Sequence, residues 1–305
     1  MLRLLLRRLA AAGPTLLSVV LLSFLLMKLA PGGPFDGERV LDPATEAALA
    51  KAYGLDRPLA EQLGLYLWRL AHGDFGPSLV YRDFSVTALV AEGLPVSLTL
   101  GALALLVAVA IGVPFGAAAG WRPDSAIDRV ARWFALLANA VPTFVSAPIL
   151  VFVFGLTLGW LPVSGLGGAT NLVLPVIALA LPTAGIVTRL TREGVTGVLA
   201  ADYIRTARAK GLSAATIVRR HALKPALIPV VSYLGPAAAG LLTGAIVIET
   251  VFALPGLGRY FVQGALNRDY PLVLAVVVLY AALIIVFNLI ADLLYGWLDP
   301  RVRER

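Results

Sequence analysis

Side chains that commonly carry chemistry are scarce in this sequence. Its 305 residues include two histidines, His72 and His221, and no cysteine. Two separated histidines without a thiol do not make up the ligand set of a zinc site. No glycine is followed by lysine, so the phosphate-binding sequence G-x-x-x-x-G-K-[ST] is missing. We therefore expect no catalytic residue, no metal site and no cofactor on this chain, and no enzyme activity.

Polar groups inside the long apolar runs are also few. Lys28, Glu249 and Asp292 stand near the ends of such runs, where their side chains are expected to reach the membrane interface. A milder polar set is a candidate translocation path and, equally, a candidate set of contacts between helices. Its members are Asn139, Thr143, Ser146 and Thr183.

The segment from Asp202 to His221 is the most distinctive part of the chain. It reads DYIRTARAKGLSAATIVRRH and lies between two long apolar runs. Its spacing predicts a helix from Val198 to Lys210, a break at Gly211, and a second helix with Ser213 as its N-cap. A polybasic loop that binds only lipid headgroups would not need this order of helix, glycine, cap and helix.

We interpret this segment as a docking surface for a partner protein. Two alanines, Ala207 and Ala209, are small enough to let a partner surface approach, and basic residues surround them. The candidate docking residues are Asp202, Tyr203, Arg205, Thr206, Ala207, Arg208, Ala209, Lys210, Gly211, Leu212, Ser213 and His221.

Composition places these elements in a membrane. The chain is 59% hydrophobic and 14% charged, with a mean hydropathy of +0.86. Soluble domains are less apolar and carry about a quarter charged residues. The net charge of +7 does not indicate nucleic-acid binding, because the basic residues gather at the ends of apolar runs and so indicate orientation.

The apolar runs predict an all-α membrane protein with six transmembrane helices. The uncharged run from Trp133 to Thr188 is too long for one helix, and a Gly- and Pro-rich stretch, Gly159 to Asn171, divides it. The remaining spans are Leu9 to Met27, Gly93 to Trp121, Pro225 to Ile248 and Pro271 to Ala291. Kinks are expected at Pro142, Pro148, Pro175 and Pro182.

The Lys and Arg distribution predicts that both termini are cytoplasmic. Basic residues are enriched at the N-terminus, after the second and fourth spans, and in the tail. The segment Pro31 to Glu92 is mixed in charge, but segments of this length cross a membrane largely regardless of charge. Thr45 to Tyr53 and Pro58 to Leu70 read as short amphipathic helices, with Leu59 on the apolar face of the second.

These patterns divide the chain into three parts. Residues 1–30 form the N-terminal cytoplasmic end and the first transmembrane helix, and residues 31–92 form a small outer subdomain on the mouth of the bundle. Residues 93–305 form a five-helix core with a cytoplasmic loop at about 192–224 and a short cytoplasmic tail. The apolar run of the first span is longer than a signal peptide's core and lacks a clear cleavage site, so we expect it to be retained.

Asp202 to Ser213, with Arg220 to Leu223, resembles the cytoplasmic "EAA" loop of ABC-importer permeases, in the variant of the dipeptide/oligopeptide/nickel family. Most importer permeases have Glu six residues before the loop glycine, whereas this chain has Arg205; the peptide-family variant is similarly basic there. Other similar motifs follow in order along nearly the whole chain. They are LAPGGP (Leu29 to Pro34), GLDRPL (Gly54 to Leu59), HGDFGPSL (His72 to Leu79), GWLPVSG (Gly159 to Gly165), LTREG (Leu190 to Gly194), ETVFALPGLG (Glu249 to Gly258), NRDYP (Asn267 to Pro271) and DLLYGWLDPRVR (Asp292 to Arg303).

The resemblance implies a type I ABC importer permease fold with a cytoplasmic coupling helix, in the bacterial inner membrane. It implies four kinds of partner: a second, homologous permease, two P-loop ATPase subunits, an extracytoplasmic substrate-binding protein, and membrane lipid. The resemblance favours a different chain as the second permease over a copy of this one, and both alternatives stay open. ATP and Mg would be bound by the ATPases. The implied cargo is a di- or oligopeptide, although members of the family also carry nickel chelates and other solutes.

Two alternatives come from other functional classes. An ion-coupled secondary transporter would need acidic residues at mid-membrane, and the apolar runs lack them. An integral-membrane enzyme would need a catalytic set that the residue types do not provide.

Overall fold

The structure is a computed structural model that describes residues 2–29, 42–81 and 83–298. The backbone of these residues is largely helical, and within them one isolated bridge, Pro77 with Ser85, is the extent of β-pairing. The predicted all-α fold class is confirmed. Most of the motif Leu29 to Pro34 and the end of the tail, residues 299–305, lie outside the described residues.

Thirteen α-helices follow one another in the described part of the chain. The first four are α1 (Leu2–Leu29), α2 (Pro43–Ala52), α3 (Leu59–Ala71) and α4 (Val86–Trp121). The next five are α5 (Ala126–Ala140), α6 (Thr143–Leu150), α7 (Val173–Leu199), α8 (Asp202–Ala209) and α9 (Ala214–Thr216). The last four are α10 (Leu223–Ala226), α11 (Ile228–Val251), α12 (Leu257–Leu266) and α13 (Tyr270–Leu298). Wider π-helical turns follow α6 (Val151–Thr157) and α9 (Ile217–Ala222), and a 3-10 turn precedes α7 (Ala169–Leu172).

Five helices are long and apolar enough to cross a membrane, and one bent helix pair is a candidate for a sixth span. The five are parts of α1, α4, α7, α11 and α13. The bent pair is formed by α5 and α6, which meet at an angle of 104°. The bend begins at Val141, whose backbone is extended (φ −89°, ψ 114°), as is favoured for a residue before proline. The kink predicted at Pro142 is therefore confirmed, and it is sharp enough to turn the chain.

Successive spans alternate in direction between two ends of the bundle, so α4 and α7, the second and fourth spans, run parallel to each other. At one end, which we call the subdomain end, the Phe24 ring of α1 stacks on the Tyr66 ring of α3, with 6.4 Å between the ring centroids. At the other, the loop end, α1 returns to α13 through an ion pair between Arg8 and Asp292 at 2.7 Å. The α8 and α9 helices extend from the loop end.

The closest contact in the bundle is between α4 and α7. Gly112, Gly116 and Gly120 recur every four residues and so form one stripe on α4. A Cβ atom on Gly112 would lie 2.7 Å from Val187 Cγ1, and one on Gly120 would lie 2.6 Å from the Arg192 carbonyl oxygen. Small residues at such positions let membrane helices pack backbone against backbone. We call this contact the glycine seam.

At the subdomain end, Glu249 is fully buried and does not reach the interface as expected. Its carboxylate accepts hydrogen bonds from Ser97 Oγ of α4 at 2.6 Å and from the Gly258 N–H of α12 at 2.7 Å. Gly256 packs directly on the carboxylate. The prediction failed because hydropathy places Glu249 near a helix end without revealing the two donors that stabilise it inside.

A second buried carboxylate, Asp269, joins two of the family-like motifs. It accepts hydrogen bonds from Ser78 Oγ and from the Leu79 N–H at 3.2 Å, and both residues belong to the segment before α4. Its side chain also accepts from the Leu272 N–H at 3.4 Å in the first turn of α13. The segment before α4 is thereby fixed to the start of the last span.

The subdomain helices form close to their predicted positions, with two differences. Leu59 was expected on the apolar face of α3 but is 53% exposed, because it is the first residue of that helix. The second span begins at Val86 rather than Gly93, since Ser85 caps it by accepting from the Ala88 N–H at 3.1 Å. Val86 and Leu89 are then buried against α12 and α13.

Replacing Gly116 with alanine tests the glycine seam. The new methyl group would lie 2.8 Å from Thr191 Cβ and closer still to the Thr188 carbonyl oxygen, so the two backbones must separate. We expect Gly116→Ala to lower the free energy of unfolding by about 1–3 kcal/mol. Gly240→Ala is the matched control, because no atom lies within 4 Å of its Cβ position. Thermal unfolding in detergent measures both, and equal midpoints for the two variants would contradict a close seam.

Candidate functional site

Two residues separate the candidate docking segment from the end of α7. The α7 helix ends at Leu199, and Ala201 has an extended backbone (φ −72°, ψ 149°) before α8 starts at Asp202. The single helix predicted from Val198 to Lys210 is therefore wrong at its start. An acidic residue in the first turn of a helix is favourable, and Asp202 occupies that place in α8. Only Ala200 and Ala201 separate α8 from α7.

The break at Gly211 is confirmed, and the backbone geometry there explains why the residue is a glycine. Gly211 has φ +76°, a conformation that strains other residues. Its N–H donates to the Arg208 carbonyl at 3.0 Å, and the Leu212 N–H donates to the Ala207 carbonyl at 3.3 Å. These two bonds form a Schellman motif, which ends a helix and fixes the direction of the chain that follows. The turn is thus held by the backbone.

The predicted cap at Ser213 is present. Its Oγ accepts a long hydrogen bond of 3.4 Å from the Thr216 N–H, and the two hydroxyl groups lie 2.8 Å apart. The second helix then continues through Ile217 into the π-helical turn. We call the α8–turn–α9 unit, residues 202–216, the elbow.

A small apolar core fixes the angle of the elbow. Ile204 and Ala207 of α8 are buried against Ile217, and Val198 and Leu199 pack on the same cluster. The expectation that the small side chain of Ala207 lets a partner approach is therefore wrong, since that side chain faces the elbow's own interior. Ala209, by contrast, is exposed.

The outer face of the elbow is mixed in character. Tyr203 is 49% exposed and Leu212 38% exposed. The other exposed candidate docking residues are Asp202, Arg205, Thr206, Arg208, Ala209, Lys210, Gly211 and Ser213, and His221 is partly buried. Arg205 pairs with Asp202 at 3.5 Å on this face, a pair that solvent makes weak. An aromatic and an aliphatic side chain among cations are typical of a protein-binding surface.

A buried ion pair ties the base of α7 to α5, and sequence reasoning missed it. Asp128 is fully buried, and both of its carboxylate oxygens accept from Arg192, through Nε and through Nη2 at 3.0 Å. Arg132 lies 3.3 Å from the same carboxylate, and the Asp124 N–H donates to it at 2.9 Å. We call the Asp128–Arg192 pair the latch. Arg192 lies in the LTREG motif, but nothing in the spacing indicates its partner, 64 residues away.

The structure separates the four candidate path residues. Asn139 lines a cavity of about 490 Å³ between α5 and α7, whereas Thr143, Ser146 and Thr183 do not. Ser146 donates to the Thr143 carbonyl at 3.3 Å within its own helix. Thr183 is buried, at 6% exposure. The cavity also reaches the latch through Arg192.

Metal ligands do not gather in the described ranges 2–29, 42–81 and 83–298. Those residues contain no group of three or more His, Cys, Asp or Glu side chains that could hold an ion. The His72 ring nitrogen lies 2.8 Å from the Trp68 carbonyl, as part of α3 and its cap.

Comparison with known proteins gives consistent results. Residues 112–304 match the family model of the binding-protein-dependent transport system inner membrane component. The chain is 50% identical over 305 residues to the oligopeptide transport system permease protein OppB of Salmonella typhimurium, covering 99% of this chain and 100% of that protein. It is 40% identical over 303 residues to the dipeptide transport system permease protein DppB of Bacillus subtilis, covering 99% and 98%.

A solved structure shares the fold. It is described as a crystal structure of an amino acid ABC transporter with histidines, with a TM-score of 0.55 and 21% identity. The match covers 68% of this chain and 94% of that chain. At this identity the likeness concerns the fold alone.

The αL turn at Gly211 can be tested separately from side-chain packing, because no atom lies within 4 Å of its Cβ position. Gly211→Val should strain the turn by about 1–2 kcal/mol and reduce the transport achieved for each ATP hydrolysed by the assembled transporter. Gly211→Asn should be milder, since Asn tolerates this conformation. Transport and ATPase rates measured in the same proteoliposomes give the ratio. If both variants gave the same ratio of transport to ATP hydrolysis as the unmodified protein, the fixed turn would not be needed for coupling.

The latch predicts non-additive mutations. Asp128→Asn leaves Arg192 without its partner, and Arg192→Gln leaves a buried carboxylate, so each should destabilise by about 3 kcal/mol. In the double variant the two costs should overlap, with a coupling of about 1–3 kcal/mol. Unfolding midpoints of the two single variants and the double variant measure it. Arg129→Gln, an exposed change in the same turn, should have little effect, and additive costs for Asp128 and Arg192 would exclude a latch.

Proposed function

The chain belongs to the family of binding-protein-dependent transport system inner membrane components, and we propose that its cargo is a di- or oligopeptide. It is a multi-pass permease of a transport system. The main support for a peptide cargo is the 50% identity along the full length of an oligopeptide permease. The 40% identity to a dipeptide permease supports the same class. Family membership decides against the ion-coupled transporter and the membrane enzyme.

The permease works with other subunits, because its family is the inner membrane component of binding-protein-dependent transport systems. We propose a complex with a second, homologous permease that is a different chain, two ATPase subunits that bind ATP and Mg, and one extracytoplasmic binding protein. The sequence supports a separate ATPase, since it has no phosphate-binding loop. Exposed apolar side chains on α5 and α6, such as Trp133 and Phe144 at 62% and 61%, leave area for a second permease and for lipid.

We propose that the loop end faces the cytoplasm, which places both termini there. Basic residues gather at this end from separate parts of the chain, including Arg8 of α1, Arg122 after α4 and the elbow itself. Cytoplasmic segments carry such an excess of Lys and Arg. The subdomain end, with α2, α3 and α12, then faces the binding protein.

The elbow is proposed as the site at which an ATPase acts. Its angle is fixed by the Schellman motif and by the Ile204 cluster, so it transmits a displacement rather than absorbing it. A push on α8 reaches α7 through the two-residue link at Ala200 and Ala201. From α7 the displacement reaches α4 through the glycine seam, whereas α5 follows only while the ion pair of the latch holds. Two-state movement of packed helices is a common form of coupling in switching proteins.

Assembly with and without an intact elbow surface tests this proposal. When the tagged chain is purified gently from its native membrane, a second permease and P-loop subunits should co-purify with it. The ATP hydrolysis rate of the purified complex should rise when binding protein and peptide are added. Tyr203→Glu should lose the ATPases, because it places a charge on the exposed apolar part of the elbow. Glu61→Gln, an exposed change in the subdomain helix α3, is the control. A chain purified alone, in a detergent that preserves such complexes, would contradict the complex; retention by Tyr203→Glu would contradict the docking surface.

A further inference from the structure

The cavity between α5 and α7 carries both signs of charge. Its volume is about 490 Å³, and it lies beside the latch. Small side chains from Ala131, Ala135 and Gly185 leave the space open. The polar and charged residues that line it are Arg132, Asn139, Thr188, Arg189, Arg192 and Glu193.

Two of the charged side chains that line the cavity already form ion pairs within the chain. Arg192 is bound by Asp128 in the latch, and Arg132 lies 3.3 Å from the same carboxylate. Arg189 and Glu193 are exposed and, within the described part of the chain, neither forms a salt bridge, although Glu193 lies in the field of Arg192 and Arg189 in that of Tyr233. They stand four residues apart, on one face of α7. The cavity therefore offers one cation and, one helical turn further on, one anion, neither of them held in a salt bridge.

The depth of Arg189 is unusual for an unpaired charge. It lies 16 residues after Val173, the start of α7, which is about 24 Å along a helix. The hydrocarbon core of a membrane is about 30 Å thick, so Arg189 lies at the inner part of the span. An ionisable residue there usually faces a wet cavity and marks a substrate path.

We propose that this cavity binds the travelling peptide near the end of its path, with Arg189 donating to the peptide's terminal carboxylate. The inference rests on the proposed peptide cargo and assigns it a site on this chain. The Asn139 side chain, whose Nδ2 donates to the Ala135 carbonyl at 2.9 Å, keeps its amide oxygen to accept from a peptide N–H. Glu193 disfavours a phosphate headgroup at Arg189, because it would repel a group with more negative charge, whereas a peptide brings a cationic amino group as well.

The latch has a part in this site. By binding Arg192 through two hydrogen bonds, Asp128 removes the neighbouring guanidinium from competition for the carboxylate. The same ion pair sets the spacing of α5 and α7, which form the two walls of the cavity. A shift of the elbow would therefore change the width of the site as well as its access.

Transport of a matched pair of peptides tests the proposal. The reconstituted importer, with its partner subunits and a saturating amount of loaded binding protein, is given trialanine or its C-terminal amide. Arg189→Gln should slow transport of the free acid about tenfold and change transport of the amide by less than about twofold. The binding protein is the same for the unmodified permease and the Arg189→Gln variant. A change in the acid-to-amide ratio of transport rates is therefore caused by the substitution in this chain. Arg122→Gln removes an exposed cation at the loop end that does not line the cavity and should leave the ratio unchanged.

Other outcomes would overturn the site. Equal losses for acid and amide, no loss for either, or a loss that depends on the anionic lipid content of the vesicles would each exclude carboxylate binding at Arg189. Failure of the unmodified importer to move either peptide would contradict the peptide cargo itself, which separates the two proposals. Photo-crosslinking of the unmodified importer covers the case in which Arg189→Gln does not assemble. A benzoylphenylalanine tripeptide should label residues 131–140 or 185–193, and labelling confined to other segments would contradict the site.

Discussion

The contact on which the rest of this structure depends is the close approach of α4 and α7. Gly112, Gly116 and Gly120 remove every side chain from one stripe of α4, so its backbone lies directly on α7. In a membrane, apolar side chains gain little by leaving lipid, and close packing of small residues takes the place of the hydrophobic effect. The position of α7 then decides where α5, α8 and α11 can lie, because each of them contacts it or continues from it.

Buried carboxylates supply the directional part of the architecture. Glu249 joins α11 to α4 and α12, Asp269 joins the segment before α4 to α13, and Asp128 joins α5 to α7. Each carboxylate is fully buried and bound by donors from two elements. An unsatisfied carboxylate would be costly at these places, so each arrangement is stable only when both of its elements are in position. Packing holds the bundle together, and these groups specify which parts meet.

The sequence predicted what depends on composition and local pattern. Hydropathy located the spans, proline spacing located the bend at Pro142, and turn chemistry located Gly211 and Ser213. It did not predict the burial of Glu249 or the partner of Arg192, because each depends on donors or acceptors that lie far away along the chain. Ala207 was misplaced for the same reason. A small residue in a basic helix has two possible neighbours, a partner protein or its own chain, and only the tertiary contact with Ile217 distinguishes them.

The two contacts that α7 makes at the loop end differ in kind, and this difference has a mechanical consequence. The glycine seam depends on backbone contact along several turns, and it has no second arrangement of similar energy once the backbones separate. In the latch, Arg192 lines an open cavity, so its guanidinium can be solvated or take another partner if the pair parts, and Arg132 at 3.3 Å can remain with the buried Asp128 carboxylate. A displacement of the elbow should therefore carry α4 and α7 as one body, while α5 can separate from them. The wall of the cavity that moves is then α5, which contributes Asn139 to the lining, and the wall that carries Arg189 stays with the elbow.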